Sequence, residues 1–255
     1  MENVFGNLTA FIFVLIRVTG FMMFNPILSR KNVPTIIRAG MIMILSVFFV
    51  SFNQLPIVEV RGYFDFALIA AKELFVGYVA GFIVNIFLSV VVLGGEIIDY
   101  QLGLTMGKMY DPVNAAQLSI TSALLNTMLI IFFFQSGSYL TLIKIFANSY
   151  EIIPIGFEIF SNDIVIHIVG LFSNMYVLAI KISIPVIAAH IITEMGVGIL
   201  MKAVPQINVF VVNMQLKIAV GGIVFFVVLT PISRFLDGML NMMMGSIQTA
   251  LKLMG

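Results

Sequence analysis

Six apolar runs restrict this chain to one kind of architecture. They are Leu8–Leu28, Ala39–Phe52, Phe66–Leu93, Ile120–Ala147, Ile164–Ile192 and Met214–Phe235, with short polar connectors between them. Most reach the roughly 20 residues that a helix needs to cross a hydrocarbon core. The second is short unless Thr35–Arg38 forms its first turn. None alternates with the period of two expected of a strand, so each is expected to be a helix. The expected fold class is an all-α membrane protein with about six long apolar helices. The tail, Leu236–Gly255, has charges only at Asp237 and Lys252 and has room for one more short amphipathic helix.

Composition agrees. Hydrophobic residues make up 61% of the 255 residues and charged ones 10%. Soluble domains hold roughly 45–50% and roughly 25%. So few charges do not cover a soluble surface, and lipid, other subunits or both must cover the rest. A net charge of +1 points to neither nucleic acid nor an acidic substrate. There is no cysteine, which excludes disulfides, thiolate metal sites and thiol nucleophiles. MENVFGNLTAF lacks the basic start of a cleavable signal peptide, so the first run is expected to stay in place. Arg30, Lys31, Arg38, Lys108 and Lys202 lie in connectors one, three and five, whereas connectors two and four hold only Arg61. Cytoplasmic connectors are enriched in Lys and Arg, so both termini are expected to face outward.

Several charges stand where lipid is expected. Arg17, Lys72, Glu73, Lys144, Lys181 and Glu194 lie inside or at the ends of apolar runs. A charge at the bilayer centre costs about 2.5–3.5 kcal/mol on insertion scales. One reading is that these groups pair, within the chain or with other subunits, and hold helices together. The other is that they relay protons or ions. Lys72 and Glu73 are adjacent and point in different directions, so they cannot simply pair with each other. His167 and His190 have no second imidazole at helical spacing, so no metal site is expected. Phosphate-loop, HExxH and GxSxG motifs are absent, so neither an enzyme nor a cofactor is expected. Gly77 and Gly81 lie four apart on one helix face, where a neighbouring backbone can approach closely.

The longest polar interruption is Gly94–Ser119, GGEIIDYQLGLTMGKMYDPVNAAQLS. Its plain reading is a connector between helices. Glu96 and Asp99 share a helix face if the third helix extends that far. Gly94, Gly95 and Gly103 are expected as hinges, and Asp111-Pro112 marks a turn. Leu104, Met106, Met109 and Tyr110 are apolar groups in a polar setting, with Gly107 and Lys108 between them. Methionine is unbranched and soft enough to seal an irregular opening and then yield. The segment is therefore a candidate stopper in a conduit, with Met106, Gly107, Lys108, Met109, Tyr110, Asp111 and Pro112 as the candidate sealing residues.

GEIIDYQLG at Gly95–Gly103 is followed by Asp111-Pro112. Lys72-Glu73, Gly77 and Gly81 precede it, and Glu194 with PQINVF at Pro205–Phe210 follows. PILSRKNVPTIIR at Pro26–Arg38 completes the set. In order and over the whole length, these motifs resemble the FliR family of type III secretion export gates. The resemblance implies a single domain whose helices form kinked antiparallel hairpins. Residues 1–147 would carry the first four helices with a plug loop at about 105–117, and 164–235 a hairpin like that of FliQ. It implies assembly with FliP and FliQ in the bacterial inner membrane, at the flagellar basal body, with FlhB at the cytoplasmic entrance. Unfolded flagellar subunits would be the cargo. Pro205, Gln206, Ile207, Asn208 and Phe210 are then expected to touch FlhB or FliQ, and Gly77 and Gly81 to lie at a partner interface. Arg17, Lys72, Glu73, Lys181 and Glu194 are expected to pair as buried charges. The competing reading is an ion- or proton-coupled small-molecule transporter.

Overall fold

The computed structural model describes residues 2–29, 33–52, 60, 62–105, 119–156, 162–204 and 209–255, excluding the side chains of 2–7 and 209–211. The described residues form helices α1 (Glu2–Phe24), α2 (Thr35–Phe52), α3 (Tyr63–Leu102), α4 (Ile120–Gln135), α5 (Ser138–Ile152), α6 (Asn162–Ala203) and α7 (Val209–Met254). No strand occurs among them. The protein is an all-α membrane protein. Among the described residues four helices are long and apolar enough to cross a bilayer, or five if the bent α4–α5 pair is one span. The apolar part of α1, Leu8–Phe24, is shorter than a full span.

Local chemistry sets the ends of the helices. After α1, the Asn25 side-chain oxygen accepts the N–H groups of Ile27 (3.0 Å) and Leu28 (3.4 Å), a turn that competes with further helix. Pro34, which has no N–H to leave unpaired at a helix start, opens α2; its carbonyl accepts from Ile37 and Arg38. The fourth apolar run breaks where Gln135–Ser138 interrupts it, and α4 and α5 meet at 69°. Gly137 makes the corner possible at φ 71°, a left-handed conformation that costs other residues about 1–2 kcal/mol.

Two prolines do not end their helices. Pro185 lies inside α6 and Pro231 inside α7. The tail therefore continues α7 instead of forming a separate short helix. Along α7, buried Ile232, Leu236, Leu240, Met243, Ile247, Ala250 and Met254 follow one another at three- and four-residue steps, which defines one helical face.

Coverage by the chain itself differs sharply between helices. In the most apolar window, 67% of α3 is buried, against 11% of α2, 28% of α6 and 11% of α7. The apolar faces of α2, α6 and α7 are thus the ones left for lipid or another subunit.

The chain divides into two compact units. The first comprises Met1–Phe87, Phe133–Phe172 and Leu240–Gly255. In it α1 lies directly on α3. A Cβ on Gly20 would stand 2.5 Å from the Leu74 carbonyl oxygen, and one on Gly81 2.8 Å from that of Phe21. A Cβ on Gly77 would overlap the Arg17 carbonyl oxygen. The close approach expected of Gly77 and Gly81 exists, and within this chain the neighbour is α1. Phe21, Phe49, Phe146 and Tyr150 pack beside this contact. The second unit comprises Leu88–Phe132 and Ser173–Met239.

Candidate functional site

The second unit holds both ends of the central segment. Helix α3 runs past Gly94 and Gly95 as far as Leu102, so the first third of the polar interruption is helical. Gly103, at φ 73°, stops it. The Gly103 N–H donates to the Tyr100 carbonyl (3.1 Å) and the Leu104 N–H to that of Asp99 (3.0 Å). This 5→2 and 6→1 pattern is a Schellman ending, which needs a residue without a side-chain penalty at the left-handed position.

The chain returns at Ser119, which caps α4. Its hydroxyl oxygen accepts the Ser122 N–H at 3.0 Å. Asp99 adds a second cap from α3: its Oδ1 accepts the Thr121 N–H at 3.2 Å. A carboxylate in the last turn of a helix opposes that helix's dipole, and the start of another helix favours it. Asp99, fully buried, satisfies both requirements by lying at the end of α3 and the beginning of α4. Ser122 Oγ donates to the Val92 carbonyl (2.7 Å), and Ser119 Oγ donates to Ser122 Oγ.

The glycines allow this contact. A Cβ on Gly95 would stand 2.5 Å from Cα, N and Oγ of Ser122. A Cβ on Gly94 would overlap the Ile182 side chain of α6, and Ser183 Oγ shares its hydrogen between the carbonyls of Gly94 (3.0 Å) and Ala179 (2.9 Å). Gly94 and Gly95, expected as hinges, therefore lie within a continuous helix and serve close packing. Gly103 is the glycine at the bend.

A cavity of about 410 Å³ opens beside this root, lined by Tyr100, Gly103, Thr105, His190, Glu194, Asn213, Met214 and Lys217. Lys217 Nζ of α7 donates to Glu194 Oε1 of α6 at 2.8 Å, and His190 Nε2 lies 3.3 Å from the same oxygen. The Glu194 side chain is half exposed, so the pair is worth about 0–1 kcal/mol. Among the described residues no group of three or more His, Cys, Asp or Glu is arranged to hold a metal ion.

The first unit contains the other charge cluster. Arg17 Nε donates to Glu73 Oε2 at 2.6 Å, with both side chains buried. Arg17 Nη1 reaches the Ser149 carbonyl and hydroxyl (3.2 and 3.3 Å), and Nη2 the Ile153 carbonyl (2.9 Å). Glu73 Oε1 accepts the Gly156 N–H at 3.2 Å. The guanidinium lies 4.3 Å from the centre of the Tyr150 ring. Every terminal atom of the two ions thus has a partner, as burial of a charge pair demands.

The profile described as bacterial export proteins, family 1, matches residues 8–243. The chain belongs to this family. A flagellar biosynthetic protein FliR from Bacillus subtilis is 28% identical, over 100% of this chain and 99% of its own length. The FliR of Escherichia coli K12 is 25% identical over 84% and 82%. The Yop proteins translocation protein T of Yersinia pestis is 28% identical over 79% and 78%. The matched span of this family 1 export protein includes the α3–α4 root, the Glu194–Lys217 pair and the Arg17–Glu73 pair.

Within this export protein, the expected charged residues separate into three environments. Arg17 and Glu73 pair with each other, and Glu194 pairs with Lys217 and His190. Lys72 is half-buried and Lys181 exposed, and neither makes an ion pair among the described residues. Glu96 is exposed although Asp99, one turn later, is buried. The candidate sealing residues Met106, Gly107, Lys108, Met109, Tyr110, Asp111 and Pro112 lie outside the described residues. So do Pro205, Gln206, Ile207 and Asn208; Phe210 lies in the first turn of α7 with its side chain undescribed.

Sequence reasoning missed Asp99, Ser119, Ser122, Ser183 and Lys217. Two signals were available. One is Asp99 standing against the dipole of its own helix. The other is Ser119 at the start of an apolar run, where an N-cap is expected.

Proposed function

We propose that the chain is a non-enzymatic, multi-pass inner-membrane subunit of the flagellar type III export gate. It builds the channel core with FliP and FliQ, with FlhB at the cytoplasmic entrance and unfolded flagellar subunits as cargo. Residues 105–117 act as the plug loop, with Met106, Met109 and Tyr110 closing the passage. Pro205–Asn208, which follow α6 in the sequence, and Phe210 contact FlhB or FliQ.

One observation carries this reading. Asp99, Gly95, Ser119 and Ser122 fasten the departure and return of the central segment to each other. A seal needs an immobile base so that only the lip yields. Membership of a bacterial export family, and the flagellar name that the Bacillus relative bears along its whole length, supply the context. The uncovered apolar faces of α2, α6 and α7 agree with burial in a larger assembly.

Deleting Met106–Tyr110 in cells that assemble the gate tests the seal. Leak of small ions or dye through the inner membrane is expected to rise; an unchanged leak counts against the plug. Copurification followed by mass spectrometry is expected to recover FliP and FliQ. The competing reading, an ion- or proton-coupled transporter, has the His190–Glu194–Lys217 cluster in its favour. Movement of a small solute by the isolated chain in liposomes would favour it and sink the gate.

A further inference from the structure

In the second unit, α7 meets the last turn of α3 at a glycine. A Cβ on Gly221 would overlap the Leu102 side chain, and among the described residues only Leu102 comes within 4 Å of that point. Gly221 is itself buried. Leu102 is the last buried residue before the central segment leaves α3. Gly103 follows with open space where its Cβ would be, and Leu104 and Thr105 are only partly buried.

Both long helices of the second unit face this place. Asn213, Lys217 and Gly221 recur at four-residue steps on one side of α7. The first two line the cavity that Tyr100, Gly103 and Thr105 share. Lys217 holds Glu194 of α6 at 2.8 Å, and α6 touches α3 again where Ile182 fills the space beside Gly94. From Gly94 to Leu102 these contacts extend over about 12 Å of α3, at 1.5 Å of rise per residue. The seat at Gly221 is selective for size. One methyl there could be met by rotation of the Leu102 side chain, whose far end makes the overlap. A side chain branched at Cβ has few rotamers and would press α7 away from α3.

We propose that Leu102, seated on Gly221, is a positioning residue for the central segment: it fixes to α7 the point at which that segment leaves α3. Asp99 and Ser119 join the two ends of the segment to each other. They do not set where that joined root stands with respect to α7. Leu102 supplies this second reference. The role rests on the reading of residues 105–117 as the plug, since the point of departure decides where a plug would lie.

The test uses the full chain in cells that assemble the gate. Leak of small ions or dye is the readout, and the amount of assembled complex is the control. Gly221→Val is expected to raise the leak to the level of the Met106–Tyr110 deletion. Adding Leu102→Ala, which makes room for the valine, is expected to return it to that of wild type. Ile232→Ala, at a buried position of α7 in the same unit, is expected to leave the leak unchanged. In the purified assembly the Gly103 and Leu104 amides, which close the end of α3, are expected to exchange faster in Gly221→Val and to regain protection in the double variant. Wild-type leak with wild-type exchange in an assembled Gly221→Val gate overturns the role of Leu102. So does a double variant no better than the single one, or a leak in Ile232→Ala as large as in Gly221→Val. If Gly221→Val does not assemble, Leu102→Ala alone, which adds no bulk, must show the faster exchange; unchanged protection there overturns the role equally. Should the Met106–Tyr110 deletion fail to leak while exchange behaves as stated, the plug falls and the seat of Leu102 stands.

Discussion

Glu73 on α3 receives the Arg17 guanidinium of α1 at 2.6 Å, and neither side chain reaches solvent. An ion pair so deep is a poor source of net stability but a severe liability when broken. Removing one partner from a buried pair costs about 3–5 kcal/mol, because the survivor is left charged and alone. Glu73→Gln or Arg17→Ala is therefore expected to destabilise the chain by about that much. Thermal or denaturant unfolding in detergent measures it. The double change Arg17→Met with Glu73→Leu is expected to recover much of the loss, and no recovery would mean that the outer hydrogen bonds dominate.

The same residue type at Glu194 gives the opposite forecast. Its pair with Lys217 is half exposed and screened, so Glu194→Gln is expected to shift stability by no more than about 1 kcal/mol. Identical unfolding curves for Glu73→Gln and Glu194→Gln would refute the distinction drawn from burial.

Asp99→Ala removes the cap that α3 provides for α4. Loss of a helix cap costs about 0.5–2 kcal/mol, and Ser119→Ala falls in the same range. Faster amide exchange is expected at Thr121 and Ser122, with little change at α5. If those amides keep their protection, the root is held by packing at Gly95 and not by the carboxylate.

Glycine-to-alanine changes are expected to divide by position. Gly77→Ala forces a Cβ into the α1 backbone, which cannot swing aside as a side chain can. Gly103→Ala keeps its space but pays about 1–2 kcal/mol for its left-handed backbone. Gly196→Ala, about two turns before the end of α6 with open space around it, is expected to be neutral or to stabilise by about 0.4–1 kcal/mol. Melting temperatures in this order, Gly77→Ala lowest and Gly196→Ala highest, check the assignment.

Much of this architecture is legible without coordinates, because an apolar run too long for a strand has few alternatives to helix. The break at Gln135–Ser138 is equally legible, since polar residues and glycine interrupt an oily stretch. The end of α3 is not. Gly94 and Gly95 read as loop because glycine favours loops, yet here they admit Ser122 and Ile182 to the helix surface. Pro185 and Pro231 lie inside α6 and α7, where the helix continues past the lost N–H because flanking turns and neighbours hold it. Partnerships such as Arg17 with Glu73, 56 residues apart, carry no period and leave no mark in the linear pattern. The same is true of Asp99, whose partner is the backbone of Thr121 rather than any particular side chain.

The coverage of α3 has a consequence for how the protein is made. This oily helix leaves the insertion machinery with only α1 and α2 made before it, while α4 to α7 are still unsynthesised. Its final neighbours must then displace lipid tails from its flanks one by one, so maturation is an exchange of solvents within the bilayer. A ribosome stalled shortly after α3 would leave lipid on flanks that the finished molecule covers with protein.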